Sequence, residues 1–307
     1  MRAAGLNVLV QAVFPPTSTT GATHPNEQTA YYCLDETRTD GVRQVPDCLD
    51  PERRPGFGLP ADQRSQHFRA FVREAVTRYR GQVQAWGFGV EFHNKVFWRG
   101  TPEQLFDEVL RPGYEEVKEL DPGALVVGPD EDIEDVLEGM LLIEQQRGVR
   151  AFDVLAFHAF KHSGWDVPGQ LDVEWRGNSR GIDCTFEAAD PGLKLCSLKN
   201  IVERYGNGRP LWMTEVGYRI DDPFVADAAA RQQAWLQLWV DGIKERPWID
   251  KAFFYRLMHT TTVPPGDFGL FMNDAPRTAV PAWVPLATAL AAQPLPVSSY
   301  LAEGSTA

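Results

Sequence analysis

Six short apolar runs, each followed by a longer segment of helical period, constrain this chain more than any other feature of its sequence. The runs are Leu6 to Val13, Val83 to Phe88, Leu125 to Val127, Val154 to Phe157, Leu211 to Met213 and Ala252 to Leu257. Strand alternating with helix is the pattern of a parallel sheet built from crossover units, so the fold class is α/β. Six strands are expected.

The helices are equally legible. Phe68, Phe71, Val72, Ala75, Val76 and Tyr79 recur at three- and four-residue steps, and Gly81 follows where a left-handed C-cap belongs. A second helix opens at Thr101-Pro102-Glu103, a cap residue followed by proline in the first turn, and runs to about Leu120 before Asp121-Pro122-Gly123. Others are expected over Ile133 to Gln146, Leu198 to Tyr205, Val225 to Glu245 and Pro285 to Ala292.

Two excursions break this rhythm, Pro15 to Pro60 and Lys161 to about Leu193, and both are too long for ordinary connections. Each follows a strand's C-terminal end, where barrel enzymes build their active-site loops. Cys33 with Cys48 and Cys184 with Cys196 bound polar segments of these regions, which suits two loop-stapling disulfides; four free thiols is the other reading. No Cys-x-x-Cys spacing occurs, and no metal and no cofactor is expected.

No linker, low-complexity tract or composition shift divides residues 1–307, so a single domain is expected. The net charge of −12 repels polyanions and no basic stripe is present, which argues against a nucleic-acid partner. No apolar stretch approaches the roughly 20 residues of a membrane span, and no secretion signal follows Met1.

The chemistry resides in what closes each strand. Glu91 ends the second run, His158 the fourth and Glu215 the fifth, while Tyr255 and Arg256 lie near the end of the sixth. An ionised carboxylate closing an apolar strand needs a partner or a solvated cleft. Two such carboxylates on separate strands of a barrel suit glycoside hydrolysis, in which one acid protonates the departing oxygen while the other attacks the anomeric carbon. A separation of roughly 5–5.5 Å gives retention through a covalent intermediate. His93, Asn94, Trp98 and Trp165 flank the same strand ends and are further candidates for contact with substrate. Trp86 and Trp212, within strands, are more simply core. The acidic stretch Asp130 to Glu134 follows the third run and precedes a helix, where it suits the positive helix N-terminus.

Local sequence adds a resemblance. Trp86-Gly87-Phe88-Gly89-Val90-Glu91-Phe92-His93-Asn94, followed by Phe97-Trp98, resembles the acid/base strand of clan A glycoside hydrolases, and Trp212-Met213-Thr214-Glu215-Val216-Gly217-Tyr218 resembles their nucleophile strand. Asp121-Pro122-Gly123-Ala124, Phe152-Asp153-Val154 leading to His158, and Phe268-Gly269-Leu270 fall in the order of the family 39 group. The resemblance implies a TIM-type (β/α)8 barrel, with Glu91 as acid/base, Glu215 as nucleophile and His158 beside it. It also implies a carbohydrate substrate and a secreted or extracytoplasmic enzyme.

Two departures accompany it. Val90 replaces the asparagine that contacts the sugar 2-hydroxyl in relatives, and Phe92 replaces the following proline. That contact strengthens in the transition state, so its loss opens a second reading, a barrel that binds carbohydrate without cleaving it. A third, metal-dependent hydrolysis, is weaker. The clan also carries two strand/helix units before the one at Leu6; truncation, which would also remove a signal peptide, is the expectation, and closure by another segment or subunit the alternative.

Overall fold

A computed structural model describes residues 7–12, 61–93, 101–162, 198–219, 228–256, 268–270 and 283–292. Six parallel strands are hydrogen-bonded in sequence order, β1 (Leu9–Ala12), β2 (Ala85–Phe88), β3 (Leu125–Glu131), β4 (Val154–His162), β5 (Leu211–Arg219) and β6 (Ile249–Phe254). Helices separate them, as the alternation requires. These are α1 (Ala61–Tyr79), α2 (Pro102–Leu105), α3 (Arg111–Leu120), α4 (Glu134–Arg147), α5 (Leu198–Tyr205) and α6 (Ala228–Lys244), with α7 (Trp283–Ala292) last. The fold class read from the sequence therefore stands. The chain divides into two compact units, one drawn from residues 1–156 and 205–209, the other from 157–204 and 210–307.

In the first unit β1, β2 and β3 pair in parallel, with Val10 opposite Trp86 and Trp86 opposite Val126. Helix α1 buries Phe68, Val72 and Val76 on one face. Complete burial of each valine contributes about 1.5–3 kcal/mol. Tyr79, expected on that face, is instead 45% exposed, with Arg78 over its ring. Gly81 has the expected left-handed φ of 65°.

The helix expected from Thr101 to about Leu120 begins with a capping box between Thr101 and Gln104, then widens into a π-helical turn over Phe106–Leu110 before α3. Pro112 gives the reason. It has no N–H to offer a carbonyl four residues back and its ring would strike that carbonyl, so a wider turn lets the helix continue.

Arg209 closes this unit. Its guanidinium pairs with Glu144 at 2.8 Å and donates to the carbonyls of Gly206 (2.8 Å) and Phe152 (3.1 Å), with the Phe152 ring 5.2 Å away. Glu144 also accepts from the Ala151 N–H at 2.8 Å.

The second unit contains β5 and β6, which pair in parallel with register shifts, and helix α6. Tyr218 on β5 packs against Trp235 of α6, which in turn meets Trp239. Gln232 secures this face by donating to the Tyr218 carbonyl at 3.1 Å. Among the described residues no helix is long and apolar enough to cross a membrane.

Candidate active-site residues

Glu91 lies three residues beyond β2, half-buried, with φ at +43°. A glutamate rarely adopts this left-handed conformation, which costs on the order of 1–3 kcal/mol and persists only where surrounding bonds impose it. Those bonds are present. The Glu91 N–H donates to the Asp130 carbonyl at 2.8 Å, and the Phe92 N–H donates to Glu131 Oε1 at 2.5 Å. Asp130 itself has φ at +67°. Two left-handed non-glycine residues are thus joined through one backbone hydrogen bond.

Glycines allow the rest of this clasp. A Cβ on Gly87 would lie 1.7 Å from Gln11 Oε1, so the bare backbone leaves space for the Gln11 amide. That amide donates to the Gly89 carbonyl at 2.6 Å and to Asp130 Oδ2 at 2.5 Å. Gly89, at φ +81°, takes a conformation that L side chains avoid, and the Phe92 ring occupies the place of its absent Cβ.

This corrects the reading of Asp130 to Glu134. Asp130 and Glu131 belong to β3, where they are 1% and 0% exposed, because the strand continues through the Gly128-Pro129 bond to Glu131. Helix α4 starts only at Glu134, with Ile133 as its N-cap, so Glu134 and Asp135 supply the acidic first turn.

His93 Nδ1 stands 2.8 Å from Glu131 Oε2 and 3.2 Å from Asp132 Oδ1. The bond to Glu131 raises the imidazole above its ordinary value; partial burial opposes this, while the charges of Asp132 and Glu91 add to it. Burial pushes Glu131 up, opposed by His93 and by the Phe92 N–H. The donor atoms of His93, Glu131 and Asp132 lie within 4.8 Å of one another, a spacing open to a cation. The imidazole already bridges the two carboxylates, which accounts for the cluster without one. The sequence shows Glu131 only as part of the acidic stretch before a helix, because the partners that set it apart lie nearly forty residues upstream.

In the second unit, Glu215 sits in the middle of β5 rather than at its end, because the strand runs on through Val216, Gly217 and Tyr218 to Arg219. His158 is likewise internal to β4 and 1% exposed. The pairing of β5 with β6 shifts register between Met213 and Val216, so Glu215 lies at an irregularity in the strand. Leu211 and Met213 are fully buried, whereas Glu215 is half-exposed.

At Gly217 the strand meets a group of rings. Phe160, Tyr255 and Phe268 pack mutually edge-on with centroids 5.1–5.8 Å apart, and His158 lies edge-on to Phe160 at 6.0 Å. Gly217 makes the approach possible: a Cβ there would lie 2.6 Å from the Tyr255 carbonyl and 2.8 Å from the Phe268 ring. All three rings remain partly exposed. Trp86 and Trp212 are core, as expected, at 3% and 5% exposure. Asn94, Trp98, Trp165 and the four cysteines lie outside the described residues.

Comparison with solved structures finds xylanase XynB from Paenibacillus barcinonensis at TM-score 0.54 and 13% identity, covering 93% of this chain and 78% of that one. Xylanase 10B from Thermotoga petrophila RKU-1 gives 0.53 and 15%, with 77% and 68% covered. This chain shares the fold of glycosidase barrels. A GH39 enzyme from Xanthomonas axonopodis pv. citri matches at 0.51 and 18%, over 75% of this chain and 46% of that enzyme. At these identities the likeness concerns the fold and does not separate family 39 from family 10. No protein-family model matches the chain, and no curated protein does.

Proposed function

We propose that this chain is a retaining glycoside hydrolase of clan A, akin to family 39, that cleaves a β-linked glycan or glycoside. The observation that carries this reading is Glu215, a partly exposed carboxylate within the otherwise buried stretch Leu211–Tyr218 of β5, two residues before Gly217, against which partly exposed rings pack. Such rings suit the apolar faces of a pyranose, and a carboxylate kept among them suits attack on the anomeric carbon. In the first step the Glu215 oxygen forms an ester with that carbon while Glu91 gives its proton to the departing glycosidic oxygen. In the second, Glu91 takes a proton from water, and the water oxygen displaces Glu215 with net retention.

An activated 2-fluoro glycoside should accumulate as an ester on the peptide containing Glu215, detected by mass. Neither labelling nor turnover across a broad aryl-glycoside panel would sink the proposal. The same reading expects an extracytoplasmic protein with Cys33–Cys48 and Cys184–Cys196 disulfides, checked by non-reducing peptide mapping.

One observation favours a second reading, carbohydrate binding without cleavage. Val90 and Phe92 are apolar side chains, buried at 6% and 4% exposure, and neither carries a group that could bond the 2-hydroxyl. Titration calorimetry separates the two: saccharide binding without hydrolysis, unchanged in Glu215→Gln, would support the binding module.

A further inference from the structure

The double displacement gives Glu131 and His93 no part, yet both converge on the turn that carries Glu91. Glu131 is completely buried, and one of its oxygens takes the Phe92 N–H while the other takes His93 Nδ1. These bonds fix the two residues that follow Glu91. The Asp130 carbonyl fixes Glu91 itself, and Gln11 ties Asp130 to Gly89 on the preceding side. The left-handed turn at Glu91 is therefore held at Gly89, Glu91, Phe92 and His93 by groups from β1 and β3.

A buried carboxylate is an expensive way to accept one backbone N–H, since desolvation opposes its charge. An amide could take the same N–H. An amide has no second acceptor oxygen, whereas that of Glu131 takes His93 Nδ1, which Asp132 also faces from the end of β3.

We propose that Glu131 and His93 are a positioning pair for Glu91: the buried carboxylate takes the Phe92 N–H with one oxygen and His93 Nδ1 with the other, locking the left-handed turn from which Glu91 presents its carboxyl for proton donation. The inference rests on the assignment of Glu91 as acid/base. It predicts that the pair matters in proportion to the need for a proton on the leaving group.

The test compares kcat/KM for glycosides whose leaving groups differ in acidity, because this parameter reports the first displacement alone. A 2,4-dinitrophenolate departs without protonation, whereas a methylumbelliferyl or alkyl alcohol needs it. In Glu131→Gln and in His93→Ala, the poor leaving groups should lose roughly ten- to a hundredfold in kcat/KM. The dinitrophenyl glycoside should stay within about threefold of wild type, and the high-pH limb of the poor-leaving-group profile should move.

Equal losses on every leaving group with an unmoved profile would mean only structural damage and would overturn the inference, as would no loss at all. Wild-type turnover in the same assay keeps these results distinct from failure of the glycosidase reading, which would appear as inactivity of the wild type toward every substrate and would remove both. Should Glu131→Gln fail to fold, His93→Ala carries the same comparison, since His93 lies at the half-exposed end of the pair.

Discussion

Replacing Arg209 by alanine would strand a buried carboxylate. The Arg209 and Glu144 side chains are only 4% and 7% exposed, so the pair lies largely beyond the screening that weakens surface ion pairs. Removing one partner of a buried pair costs about 3–5 kcal/mol, chiefly because the other charge loses its compensation. The upper end is expected, since the carbonyls of Gly206 and Phe152 lose their donor as well. For a unit of this size the loss corresponds to a drop in Tm of about 6–20 °C. Urea unfolding followed by tryptophan fluorescence measures it. In Arg209→Met combined with Glu144→Gln, both charges are gone and the amide can still accept from the Ala151 N–H, so most of the loss should return. A loss below about 1 kcal/mol in Arg209→Ala, the worth of an exposed pair, would refute the argument.

Three further outcomes follow from the packing and the protonation chemistry. Gly217→Ala drives a methyl against the Tyr255 carbonyl, which has little freedom to retreat, so a loss of about 1–3 kcal/mol is expected by thermal unfolding; an unchanged Tm would show that β6 yields there. Leu155→Ala, at a fully buried site on β4, should lose about 2–5 kcal/mol in urea titration. His93 is raised in the folded protein, so its stabilisation is complete below its ordinary value near 6.5 and is lost as pH rises through the higher folded value. The Tm of wild type should therefore fall more steeply across that window than the Tm of His93→Ala, and a steeper fall in the variant would contradict the sign.

The six strands and their helices were legible because each is announced locally, by an apolar run or a helical stripe. Their limits were not. Glu215 and His158 look like strand ends in a sequence because polarity interrupts the apolar run there, but β5 and β4 continue beyond them, since continuation depends on backbone partners far along the chain. Asp130 was misplaced for the same reason. Its peptide groups and carboxylate answer to Gln11 and Glu91, residues with no sequence proximity to it. Of the candidate residues, Glu91 and Glu215 were visible by motif and Tyr255 by its position near a strand end. Glu131 was visible by neither, because the bonds that distinguish it are made to another strand's turn.

The short stretch from Tyr205 to Arg209 belongs with residues 1–156, although the chain on either side of it belongs to the second unit. On the ribosome, therefore, Glu144 and the Phe152 carbonyl wait for a cation that is synthesised more than fifty residues later. The first unit acquires its complete set of buried partners only after part of the second has been made. A nascent chain halted at residue 156 would have every strand of β1 to β3 and still lack the residue that neutralises its own interior, so maturation of the two units is interleaved rather than sequential.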